Sequence, residues 1–370
     1  MNSCHPAAVI LSRLLVDEAE HRNPRKESIN TASSISMLPT ELLIEVFTNA
    51  FWESCSESIE ECGPPGLVAP TYATAFDPHS PSLFPYNVAS VCRRWKDIIC
   101  SASFPTFWTR AVVVVGIVSP ELIQKMLSWS GTLTIGVAVI QDKSPFPMQA
   151  EVEDVTRSIL PHIKRLGGLR CSLICSSDLA VARKTLRGKA RRLTYFHLGY
   201  EEDDGDGEYN QEGMLLDFDA IGEAGNGWKL ITHAVQCLNL DNYSFRPACY
   251  PKSDGFHDLL RLRSLSLSWP RPRDERSSVV RVTGDNRTGR IHFRELVAVL
   301  QEASMLSWLT VQNEQFDGLD KVSMVPCSLP SLRFINFDYV SWAFVERFRS
   351  AIDVDPHSFV VTHVLDFAAQ

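Results

Sequence analysis

The run "MLPTELLIEVFTNAF" places apolar side chains at Leu42, Leu43, Val46, Phe47, Ala50 and Phe51, a broad face at helical spacing. Pro39 ahead of the run and Glu41 in its first turn are helix-start signals. A second stretch, "NVASVCRRWKDIIC", carries Val88, Val91, Cys92, Trp95, Ile98 and Ile99 at intervals that share one helical stripe. Arg93, Arg94, Lys96 and Asp97 fall off that stripe, so the pattern predicts one amphipathic helix. The proline and bulky aromatics of "SFPTFWTR" close the unit. Between the two stretches, residues 52–86 hold six prolines and no sustained period, which predicts an irregular excursion. Upstream, residues 1–30 read as an amphipathic helix and "NTASSIS" as a loop.

From residue 111 the pattern alternates between short β-branched runs and helical segments. "AVVVVGIV" predicts a buried strand. "SPELIQKMLSW" predicts a helix with Ser119 as N-cap, Pro120 in the first turn and Gly131 past its end. "LTIGVAVI" is a further strand and Glu151–Leu166 a further helix. Strand-like runs recur as "GLRCSLIC", "RLTYFHLGY", "VQCLNLDNY", "LRSLSLSW", "LSWLTVQN", "LRFINFDYV" and "FVVTHVLDF". Several of their spacings match the roughly 20–29 residues of leucine-rich repeats, and the rest read as repeats with insertions. The expected architecture is an irregular β/α solenoid whose strands line one face. On those strands Tyr195, His197, Asn239, Ser266, Ser268, Thr310 and Asn336 alternate with apolar residues. Such alternation suits a binding surface and any solvated strand face equally.

Composition narrows the function classes. Hydrophobic residues make up 45% and charged residues 22%, which is globular composition. A net charge of −8 argues against a chain whose main task is holding phosphate backbones. The basic run "RKTLRGKARR" lacks interleaved aromatics and reads as a solvated helix end and loop, so no nucleic-acid partner is expected. Ten cysteines without a C-x-x-C pair favour free thiols and a cytoplasmic or nuclear location. "AAVILSRLLV" lacks a basic start and a cleavage site, and no run of eighteen apolar residues occurs, so neither a leader nor a membrane span is expected.

Candidate chemistry is sparse. The acidic loop "EEDDGDGEYNQEG" approaches a calcium loop, but Glu202 stands at its first position and Gly213 where the bidentate glutamate belongs. Cys171 and Cys175 have no second pair to complete a tetrahedral metal site. Gly188-Lys189 has no upstream glycine at phosphate-loop spacing, and "SWSG" lacks the first glycine of a nucleophile elbow. No catalytic set, metal or cofactor is named on this basis.

One resemblance remains. "LPTELLIEVF" (Leu38–Phe47), "VCRRWKDII" (Val91–Ile99) and "FPTFW" (Phe104–Trp108) resemble the F-box, in the form abundant in mushroom-forming fungi. The likeness covers about the first third of the chain, with a longer proline-rich insert than a compact F-box carries. The remainder agrees in architecture more than in residues. The resemblance implies an α+β chain: an N-terminal helix and linker over 1–36, a helical F-box over 37–110 with a proline-rich insert at 52–86, and an irregular leucine-rich-repeat-like solenoid over 111–370. It implies a non-enzymatic substrate-recognition subunit of an SCF-type ubiquitin ligase, docking to a Skp-type adaptor and capturing a protein target. Leu38, Pro39, Leu42, Leu43, Val46 and Phe47 would form the first contact element. Val88, Val91, Cys92, Trp95, Ile98 and Ile99 would form the last. The alternatives are an F-box scaffold acting outside the ligase and an enzyme with an unrecognised site in the repeats. The physical case for docking is that three short helices expose more apolar surface than so small a unit buries alone. The competing reading is that both stripes face the unit's own core.

Overall fold

A computed structural model describes residues 34–56, 83–101, 103–141, 148–186, 188–202, 216–217, 230–231, 235–241, 261–269, 292–313, 316, 319, 326–353 and 359–365. The helix expected over 1–30, most of the proline-rich insert and most of the acidic loop lie outside them. The described residues mix helix and strand, and they include a parallel sheet. The chain forms two compact units that divide between Leu169 and Arg170.

The first unit begins with a single 3-10 turn, Ser34–Met37, and helix α1, Thr40–Ser56. α1 therefore runs five residues into the stretch read as irregular, because Trp52–Ser56 lacks the prolines that begin at Pro64. The stretch read as one helix is two: α2, Tyr86–Ala89, and α3, Arg93–Ile99. Cys92 between them is fully extended (φ −159°, ψ 167°), so it caps α3 instead of continuing α2. Locally, the Ser90 hydroxyl donates to the Asn87 carbonyl at 2.7 Å, a bond that competes with helical continuation. Val88, Val91 and Cys92 consequently do not share a helical stripe with Trp95, Ile98 and Ile99.

The helices pack an aromatic cluster. Phe51 meets Phe84 at 5.7 Å and Phe107 at 5.9 Å between ring centroids, and Tyr86 meets Trp108 edge-on at 5.6 Å. Trp108 donates its indole N–H to the Ile99 carbonyl at 2.8 Å, closing the end of α3. Arg110 reaches the Ser54 carbonyl at 3.1 Å, a cation placed at the carbonyl end of α1.

Strand β1, Arg110–Val115, is buried throughout, as its valine run predicts. Helix α4, Pro120–Trp129, follows, with the Ser119 hydroxyl accepting from the Leu122 N–H and Gly131 at φ +57° past its end. Both signals were readable in the sequence. β2, Ile135–Gln141, pairs with β1 in parallel. α5, Gln149–Ile159, stops short of the expected Leu166 because Pro161 cannot donate to the ladder. A 3-10 turn, Leu160–Arg165, replaces its last part, and β3, Leu166–Cys175, starts at once.

β1 ends the strand order, and one of its outward N–H groups has an unusual partner. The Val112 N–H donates to the Tyr86 hydroxyl at 2.8 Å. Tyr86 is fully buried, and that burial pushes its phenol well above the usual range, so it stays neutral. Tyr86→Phe is expected to cost about 1–3 kcal/mol, the penalty for an orphaned buried amide, measurable by urea unfolding.

In the second unit β3 is followed in the sheet by β4 (Tyr195–Glu202), β5 (Cys237–Asp241), β6 (Ser264–Ser268), β7 (Trp308–Gln312), β8 (Phe334–Ser341) and β9 (Phe359–Leu365), in chain order. Each pair from β4 to β9 is parallel. Among the described residues, three helices accompany them: α6 (Ser176–Thr185), α7 (Phe293–Glu302) and α8 (Trp342–Ala351).

The register stacks like upon like. Phe196, Leu238, Leu265, Leu309 and Ile335 form one buried rung, and Leu198, Leu240, Leu267, Val311 and Phe337 the next. A third apolar position precedes every one of these strands: Leu193, Val235, Leu262, Leu306 and Leu332, all buried. The five segments thus share an L-x-x-L-x-L pattern. The L-x-L half lies within the strands, where two-residue alternation puts both side chains on one face.

Candidate functional site

The twelve residues assigned to a docking surface separate by burial. On α1, Leu43 and Phe47 are 0% and 1% exposed, whereas Leu42 and Val46 are 47% and 45% exposed. Residues 43, 47 and 51 lie one above another along the helix and face the aromatic core; 42 and 46 form the adjacent row. Phe47 also meets Trp95 edge-on at 5.0 Å, joining α1 to α3. Ile99 is buried, Val91 is 50% exposed, and Val88, Cys92, Trp95 and Ile98 are half-buried. Leu38 is half-buried and Pro39 exposed. Leu43, Phe47 and Ile99 are core residues of this unit and present no side chain at its surface.

The exposed members have neighbours that sequence reasoning passed over. Ile35 and Met37, on the 3-10 turn ahead of α1, are 42% and 78% exposed. Among the described residues, six of the ten large apolar side chains that stand exposed fall between Ile35 and Val91. Isolated exposed apolar residues are ordinary, but here more than half of those exposed fall in one short part of the chain.

Arg94 joins the two halves of this surface. Its guanidinium donates to the Leu38 carbonyl at 2.7 Å and to the Thr40 hydroxyl at 3.2 Å. Neighbouring Arg93 instead lies 3.9 Å from Asp97 on the solvent side of α3.

The second unit offers a different surface. On the sheet side opposite the leucine rungs, His197, Asn239, Ser266, Thr310 and Asn336 are in register on β4 to β8. They alternate with the apolar positions as expected, and all carry uncharged hydrogen-bonding groups once His197 is neutral. Tyr195, Cys237, Ser264, Trp308 and Phe334 form the preceding row. Trp308 and Phe334 stack at 4.6 Å, and the Trp308 indole N–H donates to the Thr310 hydroxyl at 2.9 Å.

His197 is half-buried as a residue, but its Nδ1 is wholly enclosed without a hydrogen-bond partner. Its Nε2 lies 3.4 Å from the Ser172 hydroxyl, which also accepts from Arg170 Nε at 3.0 Å. Gly199 lies two residues further along the strand. A Cβ there would approach Nε2 to 3.1 Å, tighter than ordinary packing. Burial first, and the Arg170 charge second, push the imidazole down from 6.5 to about 3.

The fold therefore favours the neutral ring, and unfolding releases a group that binds a proton readily. The contribution is complete above pH 6.5 and is lost as pH falls toward 3. Between pH 7 and pH 4, His197 alone is expected to remove about 3 kcal/mol of unfolding free energy. His197→Gln should flatten that part of the profile in denaturant titrations at several pH values.

Cys171 and Cys175 are both buried, and burial raises the Cys171 thiol to about 12, so it stays protonated and unreactive. No group of three or more His, Cys, Asp or Glu side chains placed to hold a metal occurs among the described residues. No helix among them is long and apolar enough to cross a membrane. The geometry thus supplies an apolar helical surface and a polar sheet face. Comparison with protein families, with characterised proteins and with solved structures finds no match to this chain.

Proposed function

We propose that the chain is a non-catalytic substrate receptor of an SCF-type ubiquitin ligase. Its α1–α3 region acts as an F-box that docks to a Skp-type adaptor, and its parallel strands act as an irregular leucine-rich-repeat-like solenoid that captures a protein target. The observation that carries the docking half is the cluster of exposed apolar residues on the helices that bear the LP and CRRW motifs. Leu42, Val46 and Val91 are the central contacts, with Leu38 and Pro39 beside them. Leu43, Phe47 and Ile99 support those contacts from beneath.

The repeated L-x-x-L-x-L segments, parallel and in chain order, support the solenoid half. Ubiquitin transfer belongs to other subunits on this reading, so the chain needs no nucleophile. Its place of action is the cytoplasm or nucleus, in keeping with the free cysteines Cys92, Cys100, Cys171, Cys175, Cys237 and Cys327.

The test is co-purification of the tagged full chain with a Skp-type adaptor from the same source. Stoichiometric recovery is expected, and a clean failure to bind any such adaptor refutes the proposal.

A further inference from the structure

We infer that Arg94 is a positioning residue for the docking surface, holding the Ser34–Met37 turn and the start of α1 against α3, and that Ile35 and Met37 belong to that surface. The inference rests on the docking function proposed above and adds to it the residues that give the surface its shape.

The turn has little to hold it by itself. It is one 3-10 turn, closed by a 3.3 Å bond from the Leu38 N–H to the Ile35 carbonyl. So short a helical piece gains almost nothing from its own hydrogen bonds. The helical ladder of α1 takes up the Pro39 carbonyl, which accepts from the Leu43 N–H at 3.2 Å. The Leu38 carbonyl stands one residue outside that ladder, and Arg94 takes it up. The same guanidinium reaches the Thr40 hydroxyl, so it holds the chain on both sides of Pro39. These bonds span more than fifty residues of sequence, and a charged donor makes them stronger than neutral ones.

The consequence is preorganisation. Met37 on one element and Val91 on another are among the most exposed large apolar side chains of this unit. A partner groove covering both gains affinity only if their spacing is set before binding, because ordering a loose turn on contact costs entropy. Arg93 does not substitute, since its guanidinium faces Asp97. Lysine at 94 would supply one compact ammonium in place of the planar fork, so it should restore the hold only in part.

The experiment uses the full chain and a Skp-type adaptor, with affinity read by calorimetry and backbone order by hydrogen exchange of the free chain. Arg94→Ala should weaken binding about tenfold or more, Arg94→Lys should fall between it and wild type, and Met37→Ala should weaken binding several-fold. Amide exchange should quicken in Arg94→Ala at Leu38–Leu43 and stay unchanged in β1, a localised response that general destabilisation does not give. Arg94→Ala binding within twofold of wild type, while Leu42→Glu abolishes it, overturns the inference and leaves the docking function standing. Faster exchange spread evenly over α1, α3 and β1 also overturns it. Wild-type chain that binds no adaptor refutes the function itself.

Discussion

Replacing Leu42 and Val46 together with glutamate is expected to lower affinity for a Skp-type adaptor by roughly 100-fold or more while leaving the melting temperature nearly unchanged. Each side chain is close to half exposed, so neither substitution opens a cavity in the unit. In a covered interface, however, each would place an unpaired carboxylate against an apolar groove, a desolvation cost without compensation. Phe47→Ala makes the contrast, since that ring is buried and meets Trp95. Its loss should lower stability by about 3–5 kcal/mol and reduce binding only as the helices loosen. Calorimetric titration beside thermal melts separates the two patterns. A glutamate pair that binds as wild type does would remove Leu42 and Val46 from the interface.

The largest expected effect on the second unit comes from Phe337→Ala. Phe337 is fully buried on β8, in register with Val311 of β7 and Val361 of β9. Its ring lies 5.1 Å from Phe344 and 5.1 Å from Phe348, both edge-on, and Phe344 stacks on Phe316 at 5.1 Å. Truncation would leave a void among rings that α8 holds in place, so little of it can close. About 3–5 kcal/mol is expected, a large part of the 5–15 kcal/mol that typically holds a domain folded. Phe337→Leu should recover more than half of the loss. Denaturant midpoints followed by circular dichroism check both figures, and a shift of less than 1 kcal/mol would mean the rings repack.

Regular elements were readable in the sequence because local physics decides them. The valines of β1 and the Ser119, Pro120 and Gly131 signals around α4 act within a few residues of where they stand. The break between α2 and α3 was not readable in the same way. Val88, Val91, Cys92 and Trp95 fit an uninterrupted period, while the Ser90 hydroxyl bond and the long-range hold of Arg94 leave no trace in periodicity. The division of the α1 stripe was hidden for a similar reason. Leu42 and Leu43 are the same residue type one step apart, and only the way α1 packs, with Phe47 on Trp95 and Phe51 on Phe84 and Phe107, decides which of them is core. Ile35 lay in a segment read as a loop, and Met37 opens the helical run but falls outside its apolar stripe, so neither exposure had a pattern to announce it. The opening leucine of each strand repeat was visible at Leu193, Leu262, Leu306 and Leu332. It stands three residues ahead of the next buried position, so it falls outside the two-residue alternation that announces a strand.

The Tyr86 hydroxyl across β1 bears on how the protein behaves in crowded solution. A strand with four consecutive valines at the end of a sheet is the kind of segment on which aggregates seed, since unpaired edge amides invite a passing strand. Many proteins answer that hazard with a lysine or a proline on the strand itself. Here the deterrent is supplied from α2, by an oxygen that already occupies the Val112 amide. Solubility at high concentration thus becomes a property of the helical region as much as of the strand, and anything that pries α2 away exposes a sticky edge.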